Sequence, residues 1–372
     1  MKPARRYAAA IAAIVTSTAG LMAGSGMFAE AASASSTFTG PLTTITTLAS
    51  TVPANGDVNP YGVAVVPRST GSLHQGNVLV SNFNASSNIQ GTGTTIVQVT
   101  PSRHVSQFAQ IGNLGSACPG GVGLTTALSV LSSGWVIVGS LPTRQQDGNT
   151  VVSGSGCLIV LDSHGNVQAT FKGHGINGPW DMTALDLGGT AELFVTNVLN
   201  GTVAAGGNPV NGGTVLRLVI TTVGTPQLLN VTRIGSGFPE TLNTAALVIG
   251  PTGVGLATNG TLYVADTLSN RIAAIPNAVL RLSDDGPGKT VSAGGSLNGE
   301  LGLAVTPGGD IVTVNGGDGN LVEVTPGGDQ VVTKNIDPNG AGAGDLFGLA
   351  IKPGADAVYF VNDGFNTLNL LH

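Results

Sequence analysis

Charged and aromatic side chains are scarce in this chain. Charged residues make up 9% of the 372 residues and aromatic residues 4%, whereas 57 positions are glycine and the net charge is −6. The few Lys and Arg residues do not cluster, so the sequence offers no basic surface for phosphates and predicts no nucleic acid partner. No apolar stripe with a 3.6-residue period persists, which disfavours long helices.

The N-terminus has the pattern of a secretory signal peptide. A basic segment with Arg5 and Arg6 precedes an Ala-rich apolar run, and small residues end at Ala34. This order predicts export, to a secreted or periplasmic location, with cleavage near Ala34. Polar residues interrupt the apolar run, so we expect no stable membrane insertion after cleavage. The predicted organisation is a signal peptide over 1–34 and a single domain over 35–372.

A short apolar segment preceded by small residues recurs six times in this domain. The residues that precede the six apolar segments are Gly62, Gly121, Asp181, Gly253, Gly302 and Gly348. A turn and a second apolar run follow each copy. About four short strands in each unit of roughly 40–50 residues are the signature of a β-propeller. The pattern therefore predicts an all-β, six-bladed β-propeller of four-stranded antiparallel blades.

The two ends of the domain are predicted to meet in the last blade. The sixth copy runs out of chain after three strands, and the strand-like run 42–48 belongs to no other unit. We predict that this N-terminal run supplies the fourth strand of the last blade and closes the ring, since closure removes exposed strand edges.

Both cysteines fall in the second predicted blade. Cys118 precedes its first strand and Cys157 begins its third strand, so alternating strand directions bring them to the same face. Export favours oxidation. We therefore predict a Cys118–Cys157 disulfide.

One segment resembles a known repeat. Residues 251–275 read P-T-G-V-G-L-A-T-N-G-T-L-Y-V-A-D-T-L-S-N-R-I-A-A-I, and this stretch resembles the NHL repeat of six-bladed propellers. The resemblance implies a binding or scaffold module, since NHL propellers include secreted and receptor-borne binding proteins. There is also a distant resemblance to gluconolactonase-like propellers, which implies a metal-dependent lactonase or lyase as the alternative. The fold does not choose between them.

Acids and amides follow the second strand of several predicted blades. In the NHL-like segment Asp266, Asn270 and Arg271 are interpreted as turn residues, because an Asp or Asn side chain can bind nearby backbone N–H groups. The comparable residues elsewhere are Asn82 and Asn84, Asn197 and Asn200, Asn315 and Asp318, Asn362 and Asp363. All are expected on one face, where their oxygens would hold Ca²⁺ or a hydroxyl-rich ligand, or only shape turns.

The third copy of the repeat gives the candidate ligand site. Trp180 and Asp181 stand there at the predicted channel mouth, and Tyr61 and Phe347 occupy the place of Trp180 in two other blades. Aromatic faces beside acids and amides suit sugars or cations. The predicted ligand-binding residues are Trp180, Asp181, Tyr61, Phe347, Asn82 and Asn197. The alternative is that Trp180 plugs the channel as core.

Evidence for catalysis is weak at this level. Asp181 and Glu300 are the candidate metal ligands, with Ca²⁺ as the candidate cation, but the full lactonase ligand pattern is absent. His174 is the only histidine near the predicted mouth, and no catalytic residue is assigned. We therefore expect an exported binding or scaffold module for a protein, glycan or small-molecule ligand, and the alternative is a metal-dependent hydrolase or lyase.

Overall fold

The computed structural model shows a six-bladed β-propeller. It describes residues 37–147, 149–243, 246–337 and 344–372. These residues form six antiparallel sheets of four or five strands and one separate two-stranded hairpin, and the fold class predicted from the repeats is confirmed. No helix in the described ranges is long and apolar enough to span a bilayer. The predicted signal peptide lies outside the described residues.

Blades one to three run from an inner strand to an outer strand. Blade one comprises Val58–Val65, Val78–Asn84, Gln90–Val99 and Val105–Gln110. Blade two comprises Leu128–Val130, Val136–Ser140, Cys157–Leu161 and Val167–Lys172. Blade three has five strands, Gly178–Asp186, Thr190–Val198, Val210–Thr221, Leu228–Asn243 and Leu247–Ile249.

Blades four to six complete the ring. Blade four comprises Pro251–Leu256, Leu262–Asp266, Arg271–Ile275 and Lys289–Ala293. Blade five comprises Glu300–Val305, Ile311–Asn315, Asn320–Val324 and Gln330–Asn335. Blade six comprises Leu346–Ile351, Val358–Asn362, Thr367–Leu371 and the N-terminal strand Ile45–Ser50. The described helices are two short 3-10 turns, Gly115–Ala117 and Thr267–Ser269.

The N-terminal strand closes the ring as predicted. It pairs antiparallel with the last strand, so that Ile45 lies opposite Leu371 and Ser50 opposite Thr367. The segment before it is also held, because the backbone N–H groups of Phe38 and Thr39 donate to the Glu323 carboxylate of blade five.

Blade two begins later than the repeat pattern predicts. The pattern places its inner strand directly after Gly121, but the observed strand is Leu128–Val130. Gly121 has a φ of +76° and lies in a loop, because a glycine-rich tripeptide fits a turn as well as a strand. This loop carries the predicted Cys118–Cys157 disulfide, which is confirmed with a Cα separation of 5.4 Å and is worth about 2–4 kcal/mol.

The inner strands approach one another closely around the axis. A Cβ atom on Gly348 would lie 2.0 Å from the carbonyl oxygen of Tyr61 in blade one, and one on Gly302 would lie 2.3 Å from that of Phe347 in blade six. Glycine is required at these positions because the backbone of the next blade fills the space. These two glycines therefore allow close contact between blades.

Two insertions extend from the upper face, which we define as the face where inner strands begin and second strands end. The hairpin Thr143–Gln146 and Asn149–Val152 joins strands two and three of blade two. The long fourth strand of blade three pairs with Leu247–Ile249 before the chain enters blade four. Both arise from connections between strands at the upper face.

Candidate ligand-binding cup

Two cavities lie along the propeller axis. The first, which we call the cup, opens on the upper face and has a volume of about 570 Å³. The second, the channel, runs between the inner strands and has a volume of about 300 Å³. Tyr61 lines both cavities, so its ring lies at the boundary between them.

Four aromatic side chains form a layer at this boundary. The Tyr61 ring lies 6.2 Å from Trp180, edge to face, and 5.2 Å from Phe347. Phe83 packs edge to face against Phe347 at 6.0 Å. The indole Nε1 of Trp180 donates to the Tyr61 hydroxyl over 2.7 Å, which satisfies a buried polar group and fixes both rings. All four rings line the cup, and we call them the aromatic layer.

The strand geometry brings these rings to the axis. Tyr61, Trp180 and Phe347 each stand where the pairing register of an inner strand with its neighbour shifts. Such bulges re-aim side chains at the ends of strands. Trp180 is only 3% exposed and packs in a cluster with Tyr61 and Leu124. The two interpretations of Trp180 are therefore compatible, since it is core and also lines the cup.

A chain of polar side chains lines the cup at blades one and six. The Asn84 Nδ2 amide donates to Asn88 Oδ1 at 2.9 Å and to Asn59 Oδ1 at 3.0 Å. The Asn59 amide in turn donates to Asp363 Oδ1 at 2.5 Å. All four side chains line the cup, and we call them the polar wall. The chain of donors ends on a carboxylate.

The remaining walls of the cup are mostly apolar. Leu124 of the blade-two loop, Ala246 and Ile249 of blade three, and Leu301 of blade five lie there. The cup therefore combines an aromatic base, an apolar side and one polar side that contains an acid. Such a cavity suits an amphipathic small molecule.

Asp181 faces the channel rather than the cup. It lines the channel with Ser129 and Thr183, and its Oδ1 accepts the backbone N–H of Met182 at 2.8 Å. Burial raises its pKa to about 8, against the effect of backbone hydrogen bonds that lower it. Burial, followed by the charge of Asp181, also raises the pKa of Tyr61. The predicted pair Trp180 and Asp181 is thus divided between two cavities.

The other predicted polar ligands have roles in turns. The buried Asn82 donates from Nδ2 to the Thr51 carbonyl at 2.7 Å. Asn197 accepts the N–H groups of Asn177 and Gly178 at 2.8 and 2.9 Å, which holds the connection into blade three. His174 lines a separate surface groove with Asn200.

The polar residues of the NHL-like segment also hold a turn. The Arg271 guanidinium donates to Asp266 Oδ2 from Nε at 3.0 Å and from Nη2 at 2.7 Å. Asn270 adopts the left-handed conformation, with φ of 45°, and its Oδ1 accepts the Gly299 N–H at 2.6 Å. These contacts tie blade four to the start of blade five.

Glu300 joins this blade interface. It is fully buried, and its Oε1 accepts the Arg271 backbone N–H at 2.6 Å. Its Oε2 has no hydrogen-bond partner among the described residues. Burial, and secondarily the charge of Asp266, raises the pKa of Glu300 to about 8.

The two candidate metal ligands therefore occupy different surroundings. Asp181 lines the channel, whereas Glu300 is bound to blade four at Arg271. Within the described ranges, no three His, Cys, Asp or Glu side chains are grouped so that they could hold a metal ion. The pair does not fit a shared divalent site, and no chemistry is derived through one.

Solved structures share this architecture at low sequence identity. A gluconolactonase from Xanthomonas campestris is similar with a TM-score of 0.57 and 14% identity, covering 88% of each chain. A catalytically inactive virginiamycin B lyase from Staphylococcus aureus with quinupristin has a TM-score of 0.51 and 14% identity, covering 88% of this chain and 85% of that one. A calcium-binding regucalcin from Agrobacterium tumefaciens has a TM-score of 0.52 and 12% identity, covering 87% and 92%.

These likenesses show the fold. No protein-family model matches the chain, and no curated protein matches it. The structural neighbours are six-bladed propellers of the gluconolactonase and lyase type. The similarity of residues 251–275 to the NHL repeat stays a resemblance.

Sequence reasoning found part of the cup. The shared place of Tyr61, Trp180 and Phe347 in the repeat predicts that they meet, and the repeat also places Asn84 and Asp363 on the upper face. The connection between those two polar residues was not predicted, although blades one and six are neighbours once the ring closes. Asn59 was missed, because no recurring position marks it.

Proposed function

We propose that this protein binds a small organic molecule with a flat apolar body in the cup. The observation that carries the proposal is the aromatic layer, which forms the base of a cavity of about 570 Å³. Cavities of roughly 300–1,000 Å³ with apolar linings and few polar groups are typical of small-molecule sites. The size of the cup favours a small molecule over a protein or a long glycan.

The proposal also covers where the protein acts and which part of the fold gives it specificity. The basic, apolar and small residues of 1–34 support export to a secreted or periplasmic location. The resemblance of residues 251–275 to the NHL repeat supports a binding role, because NHL propellers include binding proteins. In this account the blades form a rigid ring, and the loops of the upper face provide specificity.

A thermal-shift screen with small aromatic alcohols, amines and carboxylic acids tests the proposal. Compounds that raise the melting temperature should bind Phe347→Ala at least about thirtyfold more weakly, since truncating an aromatic anchor costs about 2 kcal/mol or more. Phe365→Ala is the matched control, because Phe365 is 55% exposed outside the cup. Equal affinity of the wild type and folded Phe347→Ala for every hit would place binding elsewhere.

An enzyme of the lactonase or lyase type is the second candidate. Asp363 favours it, because burial raises the pKa of this carboxyl to about 7, within the range useful for a general acid or base. The gluconolactonase and the virginiamycin B lyase share the fold, and the calcium-binding neighbour makes Ca²⁺ the cation to test. Metal analysis with a lactone-hydrolysis screen decides, since a stoichiometric divalent ion with turnover would replace the binding proposal.

A further inference from the structure

The polar wall ends on an acceptor rather than on a donor. The Asn84 amide donates to Asn59 and Asn88, and the Asn59 amide donates to Asp363 Oδ1. Within the described chain no donor bonds the second oxygen, Oδ2, of Asp363. A ligand group that meets the Asp363 carboxylate is therefore required to donate.

The charge of Asp363 is also unbalanced. The ion pairs of the described residues involve Arg233, Arg271 and Arg281, and none includes Asp363. The titratable groups that neighbour it are acids, since Asp345 raises its pKa and Asp337 in turn acts on Asp345. No Lys, Arg or His lines the cup in the described ranges. The cup therefore has a net negative side.

We propose that the cup selects an organic amine, with its ammonium group on Asp363 and its flat apolar body on the aromatic layer. This inference rests on the proposed function and specifies its ligand class. An ammonium supplies the donors that the Asp363 carboxylate needs. It also gains from nearby aromatic faces, because ring quadrupoles attract cations. A sugar carries hydroxyl groups around its whole ring and would leave the apolar walls and the aromatic layer without matching contacts.

Two probes of the same shape test the proposal by calorimetry. The first is 2-phenylethylamine, which is a cation at pH 8, and the second is the neutral 2-phenylethanol. The wild-type protein should bind the amine about tenfold more tightly or better, because hydrogen bonds to charged groups are worth roughly 1.5–3 kcal/mol. Asp363→Asn should abolish this preference, so that the variant binds the two probes with similar affinity.

Asp356→Asn is the matched control. It removes the same charge from an exposed turn between the first two strands of blade six, at the opposite end of the blade. This variant should keep the full preference for the amine. A preference that survives in Asp363→Asn, or that is lost in Asp356→Asn as well, overturns the assignment of Asp363.

The wild-type protein provides a second measurement that needs no variant. Because burial raises the pKa of Asp363 to about 7, lowering the pH from 8 to 6 protonates it and should weaken amine binding severalfold. Binding of the alcohol should not change. If the protein binds both probes equally at pH 8, the amine inference is wrong and the aromatic site stands. If it binds neither probe while other aromatic compounds bind, the amine inference also fails. If no aromatic compound binds, the proposed function itself fails.

Discussion

Several acids of this protein are buried or half-buried among the blades. Burial is the largest cause in each case, and it raises the pKa of Glu240 and Asp363 to about 7 and that of Asp181 and Glu300 to about 8. An acid whose pKa is raised by folding holds its proton more tightly in the folded state. Raising the pH removes that proton at a cost to the folded state.

Glu300→Gln tests this linkage at one residue. Below about pH 4.5 the carboxyl is protonated in both states and costs nothing. Between 4.5 and about 8 only the unfolded chain releases the proton, so the free energy of unfolding falls as the pH rises, and above 8 the loss is complete. Gln keeps an acceptor for the Arg271 N–H and cannot ionise. Between pH 5 and 8 the free energy of unfolding should therefore fall less for the variant than for the wild type. The difference should be on the order of a few kcal/mol.

Urea unfolding at pH 5 and at pH 8 measures this difference. Asp356→Asn, which neutralises an exposed acid, should follow the wild type. An identical pH dependence in Glu300→Gln and the wild type would show that Glu300 is ionised in the folded protein.

Single residues were predictable where a rule of chemistry acts locally. The two cysteines lie on one face of one blade because strands alternate in direction, and the turn around Asn270 follows from the left-handed conformation that Asn tolerates. Asp181 was misplaced relative to Trp180 because the bulge at Trp180 re-aims the side chains there, and no sequence pattern marks it. One lines the cup and the other the channel.

Among the elements, the N-terminal strand is the one that closes the ring. It supplies the outer strand of blade six, and the residues just before it bind the buried Glu323. A protein that begins at Val52 should aggregate or melt at a markedly lower temperature than one that begins at Thr37, since it leaves an open strand edge and an unpaired buried acid. Light scattering during a thermal ramp measures both effects. Equal melting temperatures would mean that blade six is stable with three strands.

Elements with strong local signals were predictable, and those set by distant contacts were not. The pentapeptide Thr-Pro-Gly-Gly-Asp occurs at 306–310 and 325–329, and both copies form turns with Gly309 and Gly328 at positive φ, as a Pro-Gly-Gly sequence favours. The inner strand of blade two was misplaced because Gly121 serves a loop that is fixed by a disulfide. The fifth strand of blade three depends on pairing with Leu228–Asn243, which no repeat position marks.

At the scale of the whole molecule, the aromatic layer divides the axis into a cup and a channel. Tyr61, Trp180 and Phe347 come from blades one, three and six, so the layer exists only in the closed ring. The repeat positions could predict which residues reach the axis. They could not predict the polar wall, because Asn59 and Asp363 meet only where the last blade joins the first.

The fluorescence of Trp180 tests the central claim, that ligands bind on the aromatic layer. The chain has two tryptophans, and Trp135 lies away from the cup, with its Nε1 donating to the Thr222 carbonyl at 3.1 Å. In a Trp135→Phe protein all tryptophan emission comes from Trp180. Titration with 2-phenylethylamine, or with the tightest compound of the screen, should change that emission along the same saturation curve that calorimetry gives. Calorimetric binding with no change in Trp180 emission would contradict the account.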